Sequence, residues 1–543
     1  MKEGFRQCMA WLHTWTGLTV GWVLYFVFVT GTAGYFAFEI DRWMRPELPL
    51  RSTQAVDITD AIDKAQHHLQ QVGTGAQNWT IQLPGGRTQP QLDVSWQKPG
   101  GTPGQRVRAE RATLDPLSGS VVPSDTVRAT GGGHLLYRMH YELRYIPYQT
   151  AIRLVGICTM FMFIAILTGI VTHKKIFTDF FTFRPGKGQR SWLDAHNLIS
   201  VTSLPFFLMI TYSGLVFFMY QYMPAGVQAV YGMEQAGRQQ FQAELSPLER
   251  NSNRSRASGQ AAPLVPLAPI ARQAEQQWGA GQVGSVSVRH PGDAAAVITV
   301  RSRTDRNNAV HGATLRFNGT TGEALPEPPT PSGAQQTSST LLALHEGHFA
   351  GPLLRWLYFL AGLLGCAMIA TGLVLWTTKR KVQQDKRAKA GQGPAFGFRL
   401  VQCLNIGSIA GLPVAVAVYF WANRLIPADF AGRRDWEVHA MFIAWGLMLV
   451  YPAVRPALRA WVDELWLAAA AFALLPVLNL FTTERHLGVT VPAGDWVLAG
   501  FDLTALALGL CFAWAALRVR RKLQPGAAPA RVPRKAATGI EPA

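Results

Sequence analysis

The sequence predicts a mainly α-helical, polytopic membrane protein built around a duplicated unit. Three observations predict it. Apolar residues gather into eight long blocks, and basic residues gather in the short loops on one side of those blocks. A set of His, Trp and Gly positions also recurs at matched intervals.

A helix needs roughly 20 apolar residues to cross a bilayer. Segments at about 12–38, 150–172, 197–221, 353–376, 400–421, 437–454, 463–482 and 496–517 meet that requirement. The first is longer than a signal-peptide core and lacks a cleavage site, so it is expected to stay as a helix. The loop 173–191 sets Lys174, Lys175, Arg184, Lys187 and Arg190 against the single acid Asp179. The loop 377–399 sets Lys379, Arg380, Lys381, Lys386, Arg387, Lys389 and Arg399 against Asp385. With eight helices, Arg455, Arg459, Arg518, Arg520, Arg521 and Lys522 fall on that same side. Lys and Arg in short loops mark the cytoplasmic side, which puts both termini inside and two long segments, about 40–149 and 222–350, outside.

This distribution accounts for the net charge of +18. No basic face carries interleaved aromatics, so nucleic acid is not an expected partner. The five cysteines avoid the long polar segments and form no CxxC or CxxCH, which argues against disulfides, cysteine-held clusters and covalent haem.

Each outside segment reads as a helix followed by strands. The first has a helical stretch at Ile58–Gln71, then strand-like runs at Trp79–Leu83, Leu92–Trp96 and Val107–Leu114. The second has Leu267–Trp278, then Val283–Val288, Ala296–Arg301 and Ala313–Phe317. Asp115 and Asn318 each precede a glycine by four residues, a strand-ending turn. The stretch 247–262 reads as a flexible link.

The duplication joins these pieces. Trp11-Leu12-His13 is followed by Thr30-Gly31, and Trp192-Leu193 and His196 by Ser213-Gly214; His-to-Gly is 18 residues both times. The second apolar segment is preceded by Met139-His140-Tyr141 and ends in Thr168-Gly169. The fourth is preceded by Leu344-His345-Glu346-Gly347-His348 and ends in Thr371-Gly372. Helix, outer domain, helix therefore occurs twice, and the last four helices lie outside the repeat.

On this topology His13, His173 and His196 fall at inner helix ends, and His140, His345 and His348 at outer ones. His439 begins the sixth helix at the outer face. A lone interfacial histidine is as readily a side chain reaching for water as a ligand. Pairing respects the repeat, however: His13 with His196 inside, His140 with His345 outside. Two neutral imidazoles from two helices suit a metal centre, zinc would ask for more ligands, and helix bundles hold cofactors between facing core side chains. Haem between two histidines fits, one near each face, as an electron path across the membrane. Gly17, Gly21, Gly156, Gly362 and Gly365 either admit a macrocycle or pack helices closely. His173, whose repeat counterpart is Trp376, is a third inner histidine, an alternative ligand or a hydrogen-bonding neighbour. His348 competes with His345, and His439 joins the outer site or stands apart. Asp194 and Glu346 tune the adjacent histidines or are acids at helix starts.

The motifs Trp11-Leu12-His13-Thr14-Trp15-Thr16-Gly17-Leu18, Thr172-His173-Lys174-Lys175-Ile176-Phe177, Phe180-Phe181-Thr182-Phe183-Arg184-Pro185-Gly186-Lys187, Trp192-Leu193-Asp194-Ala195-His196-Asn197 and Leu344-His345-Glu346-Gly347-His348 resemble the PepSY-associated transmembrane helix family over roughly residues 5–380. The resemblance implies two small α+β PepSY-like periplasmic domains in a bacterial inner-membrane protein. It is similar to ferric-siderophore reductases, which implies two b-type haems passing electrons outward to Fe(III). No GxGxxG follows a strand, so quinol or a separate cytoplasmic reductase is the expected donor.

The expected division is 1–39 (tail and first helix), 40–149 (first periplasmic domain), 150–221 (second and third helices), 222–352 (second periplasmic domain), 353–399 (fourth helix and basic loop), 400–520 (four-helix extension) and 521–543 (cytoplasmic tail). Two other functions fit: a non-enzymatic protein whose PepSY-like domains bind a peptide or protease, or an iron or siderophore transporter. The latter is disfavoured because Gly/Pro breaks do not pair between the halves.

Overall fold

The computed structural model describes residues 2–48, 56–85, 87, 91–99, 109–123, 127–173, 183–245, 257–303, 313–326 and 332–523. Val107, Lys174 to Thr182, most of the 247–262 link and the tail beyond 523 lie outside the described residues.

Seven described helices are long and apolar enough to cross a membrane, and an eighth span is a bent pair. The first span is Lys2–Gly34, longer at its start than hydropathy predicts and ending before Phe38; Ala37–Trp43 is a separate short helix. The second is Tyr148–Thr172 and the fourth Pro352–Lys389. The third is broken into Gln189–Thr202 and Leu204–Phe217, which meet at 68°. Pro205 sits in the first turn after the break, where its ring and missing N–H do no harm. The fifth span is interrupted more gently at Ala410, ahead of Pro413, and the seventh at Leu474, ahead of Pro476, neither bending by more than 40°. Hydropathy passes over all three breaks.

The last four spans are not a loose annex. The fifth, Phe396–Leu425, is enclosed almost throughout, as an all-round apolar helix must be. It packs between the first and fourth spans on one side and Arg433–Val454 and Ala457–Thr482 on the other, and its Phe420 meets Phe501 of Trp496–Arg520. Polar side chains fasten it: Trp22 Nε1 donates to Asn405 Oδ1 at 2.9 Å, and Asn405 Nδ2 donates to the Leu373 carbonyl at 3.0 Å.

The two outer segments each supply a helix followed by strands, as the sequence predicts. Their strands join in one seven-stranded antiparallel sheet, β4-β3-β2-β1-β5-β6-β7. The strands are β1 (Asn78–Gln82), β2 (Leu92–Gln97), β3 (Glu110–Leu114), β4 (Val121–Val122), β5 (Val283–Arg289), β6 (Val297–Ser302) and β7 (Thr314–Asn318). β1 and β5 meet at the centre, with Thr80 opposite Ser287. Alternate residues point to one face: Trp79, Ile81, Val94, Val286, Val288, Ile298 and Val300 are buried. The Ile58–Val72 and Leu267–Trp278 helices pack side by side against them. Gln66 ties the halves, accepting from the Leu267 N–H at 2.8 Å and so capping the other repeat's helix. The two strand-ending turns are alike. Asp115 Oδ1 accepts from Leu117 and Ser118 N–H, and Asn318 Oδ1 from Thr320 and Thr321 N–H. Gly119 and Gly322 take φ of +74° and +76°, which glycine adopts without strain.

Glu39, just beyond the first span, anchors this sheet unit to the helices. It pairs with Arg87 and with Arg355, each at 2.7 Å.

Candidate functional site

The four repeat-related histidines meet in two pairs. His13 and His196 face each other near the basic loops, with ring centres 6.2 Å apart. His140 and His345 face each other at the sheet end, with ring centres 5.8 Å apart.

Each ring is held by its Nδ1. His13 Nδ1 donates to the Ala165 carbonyl at 2.8 Å, and His140 Nδ1 to the Val27 carbonyl at 2.7 Å. His196 Nδ1 donates to the Met368 carbonyl at 3.0 Å, and His345 Nδ1 lies 3.0 Å from Ser213 Oγ. A carbonyl accepts and never donates, so at least three rings carry their proton on Nδ1 and keep the Nε2 lone pair free. That is the second-sphere arrangement of a ligating histidine.

Behind each ring stands a glycine of the Thr/Ser-Gly motif. A Cβ on Gly169 or Gly372 would lie 3.2 Å from Cε1 of His13 or His196. One on Gly31 would lie 2.5 Å from His140 Nδ1, and one on Gly214 3.0 Å from His345 Cε1. The preceding hydroxyls satisfy themselves within their own helices: Thr30 to Phe26, Thr168 to Ile164, Ser213 to Met209 and Thr371 to Met368. The seating is crossed. His13 of the first span rests on the second, and His140, which precedes the second, rests on the first; His196 and His345 repeat this between the third and fourth.

The small residues noted near the histidines divide between the two expected roles. Gly17 and Gly21 line the basic-side cavity and Gly362 the sheet-side one, while Gly156 and Gly365 pack against Tyr222 and Phe28. The true seats are the motif glycines that reveal the repeat; their shared spacing from a histidine was the signal.

Burial keeps the sheet-side rings neutral. It lowers His140, and with His140 as neighbour it pushes His345 down to about 3. Neutral imidazole is the ligating form. Burial raises the Glu346 carboxyl, but hydrogen bonds from His348 and Tyr137 and the nearby His345 outweigh it and hold it below its ordinary value.

The remaining histidines have other partners. His348 Nδ1 lies 3.3 Å from Glu346 Oε2, and its ring packs on Phe38. His439 Nδ1 is 2.6 Å from the Tyr145 hydroxyl, and the two rings stack. Neither lines the sheet-side cavity. His173 does line the basic-side cavity, and Asn197 Nδ2 donates to its Nε2 at 3.0 Å. Asp194 grips Arg184 through its side chain, at 3.0 and 3.3 Å, and through its N–H.

The residues fit a bis-imidazole metal centre. Metal–imidazole bonds of about 2 Å on either side of one ion put ring centres about 6 Å apart. Among the described residues no three His, Cys, Asp or Glu side chains converge, so the pairs suit a metal whose other positions a macrocycle fills. The cavities differ. The basic-side one measures about 1180 Å³, ample for a large cofactor. The sheet-side one measures about 100 Å³; a macrocycle there requires its lining aromatics, among them Phe217 and Tyr141, to turn aside. Leu24 and Met162 line both.

The sequence is similar to that of an uncharacterised protein of Pseudomonas aeruginosa, 25% identical over 402 residues that cover 69% of this chain and 92% of the relative. Residues 10–379 match the family described as PepSY-associated TM region. That span takes in the duplicated unit, all four paired histidines and their four glycine seats, and the chain belongs to this family.

Proposed function

We propose that the protein carries electrons across the bacterial inner membrane through two b-type haems and reduces a ferric siderophore in the periplasm, releasing Fe(II). One observation carries the reading: four histidines from a duplicated unit face each other as two pairs, each anchored through Nδ1 and backed by glycine. Reversible one-electron change at iron is the chemistry that haem between two imidazoles supplies.

The chain's own contribution is to place and insulate. His13 and His196 would hold one group, and His140 and His345 the other. From His13 to Gly31 the first span rises about 27 Å at 1.5 Å per residue, so the pairs sit toward opposite faces of a hydrocarbon core about 30 Å thick. Leu24 and Met162 line both cavities and so stand between the two sites. The basic loops mark the cytoplasmic side, where quinol or a cytoplasmic reductase supplies electrons. Ferric iron in an oxygen-donor chelate is the substrate, and its reduction weakens the hard-ligand complex. No general acid or base is required for such a transfer.

The test is an absorption spectrum of the purified protein with haem quantitation, followed by reduction with dithionite and addition of a ferric siderophore. A bis-imidazole haem spectrum that reoxidises as a ferrous-iron chelator develops colour supports the reading. Colourless protein from haem-replete cells overturns it.

A further inference from the structure

His173 and Trp376 occupy equivalent places in the two repeats. His173 lies four residues beyond Gly169, the seat of His13; Trp376 lies four beyond Gly372, the seat of His196. Four residues is about one helical turn, so both stand one turn closer to the basic loops than the facing imidazoles. Both line the same cavity.

Both also present a buried N–H with no hydrogen-bond partner among the described residues: His173 Nδ1 and Trp376 Nε1. Asn197 donates to His173 Nε2, so the ring's proton sits on Nδ1. Buried donors are nearly always satisfied, and an orphan calls for an explanation. Two orphans related by the repeat call for an occupant with two acceptor groups at matching positions. The lining supplies positive charge at the same end: Lys187, Arg190, Lys379 and Arg380, the last with its guanidinium 3.8 Å from the centre of the Trp376 ring. Asp194, the one acid in the lining, is already engaged by Arg184. The sheet-side cavity is different: one turn beyond its seats stand Tyr35 and Phe218, and its lining carries no Lys or Arg.

We infer that His173 and Trp376 are carboxylate-binding residues, each donating to one of the two carboxylates of a macrocycle seated between His13 and His196 with those carboxylates turned toward the basic loops. This rests on the haem reading above and deepens it. His173 is then a positioning residue, not a third axial ligand. The site selects a porphyrin with free carboxylates and fixes which edge of the ring faces the electron donor.

The test uses full-length protein made without haem and titrated with ferric protoporphyrin IX or its dimethyl ester, in the His140→Ala background so that only the basic-side pair responds. A hydrogen bond to a charged group contributes about 1.5–3 kcal/mol, so the free acid should bind at least about tenfold more tightly than the ester. In His173→Phe/Trp376→Phe that preference should shrink severalfold, while ester binding stays unchanged and reports intact folding. Equal binding of acid and ester before substitution overturns the inference, and so does a preference that both substitutions leave undiminished. Loss of ester binding in the double variant also overturns it, because the two residues then serve the fold. A titration in which neither compound gives a bis-imidazole spectrum overturns the haem reading itself.

Discussion

Gly31 lies against the imidazole of His140 so closely that a single added carbon would stand 2.5 Å from Nδ1. The ring is already fixed by the Val27 carbonyl on the same helix and cannot retreat without losing that bond. Under the two-haem proposal, Gly31→Ala should therefore displace His140 and remove the sheet-side haem while sparing the basic-side one. Haem content per chain should fall from the proposed two toward one. Gly169→Ala, where the same carbon would lie 3.2 Å from His13, should cost less, because a shift of a few tenths of an ångström relieves it.

The pairs should be separable. If each pair holds the proposed haem, His13→Ala or His196→Ala abolishes the basic-side haem alone, and His140→Ala or His345→Ala the sheet-side haem alone, read as loss of one of two components in a redox titration. Loss of both components in every well-folded variant contradicts the assignment.

The C-terminal spans brace the segment that delivers His140. Glu437 of the sixth span accepts from the Thr130 hydroxyl at 2.6 Å and from the Gly131 N–H at 3.3 Å, and it pairs with Arg433. Arg433 donates to the Ala129 carbonyl at 2.9 Å, and the Tyr419 hydroxyl to the Gly132 carbonyl at 3.0 Å. Residues 129–132 lead directly into the short helix that His140 ends. Both partners of the ion pair are fully buried, so Glu437→Ala strands a charge and should destabilise by about 3–5 kcal/mol. Thermal unfolding in detergent measures this, and of the two proposed haems the sheet-side one should be lost first.

Acid should loosen one corner of the sheet unit. Asp293 accepts from the Ser258, Gly259 and Ala295 N–H groups, which hold its exposed carboxyl down to about 2. A folded value below the ordinary one stabilises at pH above about 4, and that contribution fades as pH falls toward 2. Hydrogen exchange at residues 257–262 should rise over that window and should already be high at neutral pH in Asp293→Ala.

Much of this was legible in the sequence because its signals are local. Apolar length marks the spans, and strand alternation marks β1 to β3 and β5 to β7. The repeat, seen as His13 and His196 each 18 residues before a glycine, places the histidine pairs. What was not legible depends on contacts between distant residues. Nothing near Thr80 announces that it lies opposite Ser287, or that two modules share one sheet. Asn405 and Glu437 look like polar interruptions until the helices around them are in place. The bend in the third span is an intermediate case, since Pro205 is plain in the sequence but hydropathy averages over it.

The crossed seating has a consequence for half of the chain. One helix–sheet–helix unit contains one histidine of each pair and the seat for each of its own rings, yet neither pair is complete within it. Its first strand, β1 or β5, would also be left as an open edge. A single-copy chain of this design therefore gains both sites and a continuous sheet by pairing with a second copy around a twofold axis. Here a covalent connection makes that association permanent, and it frees the two halves to diverge, as His173 and Trp376 have done.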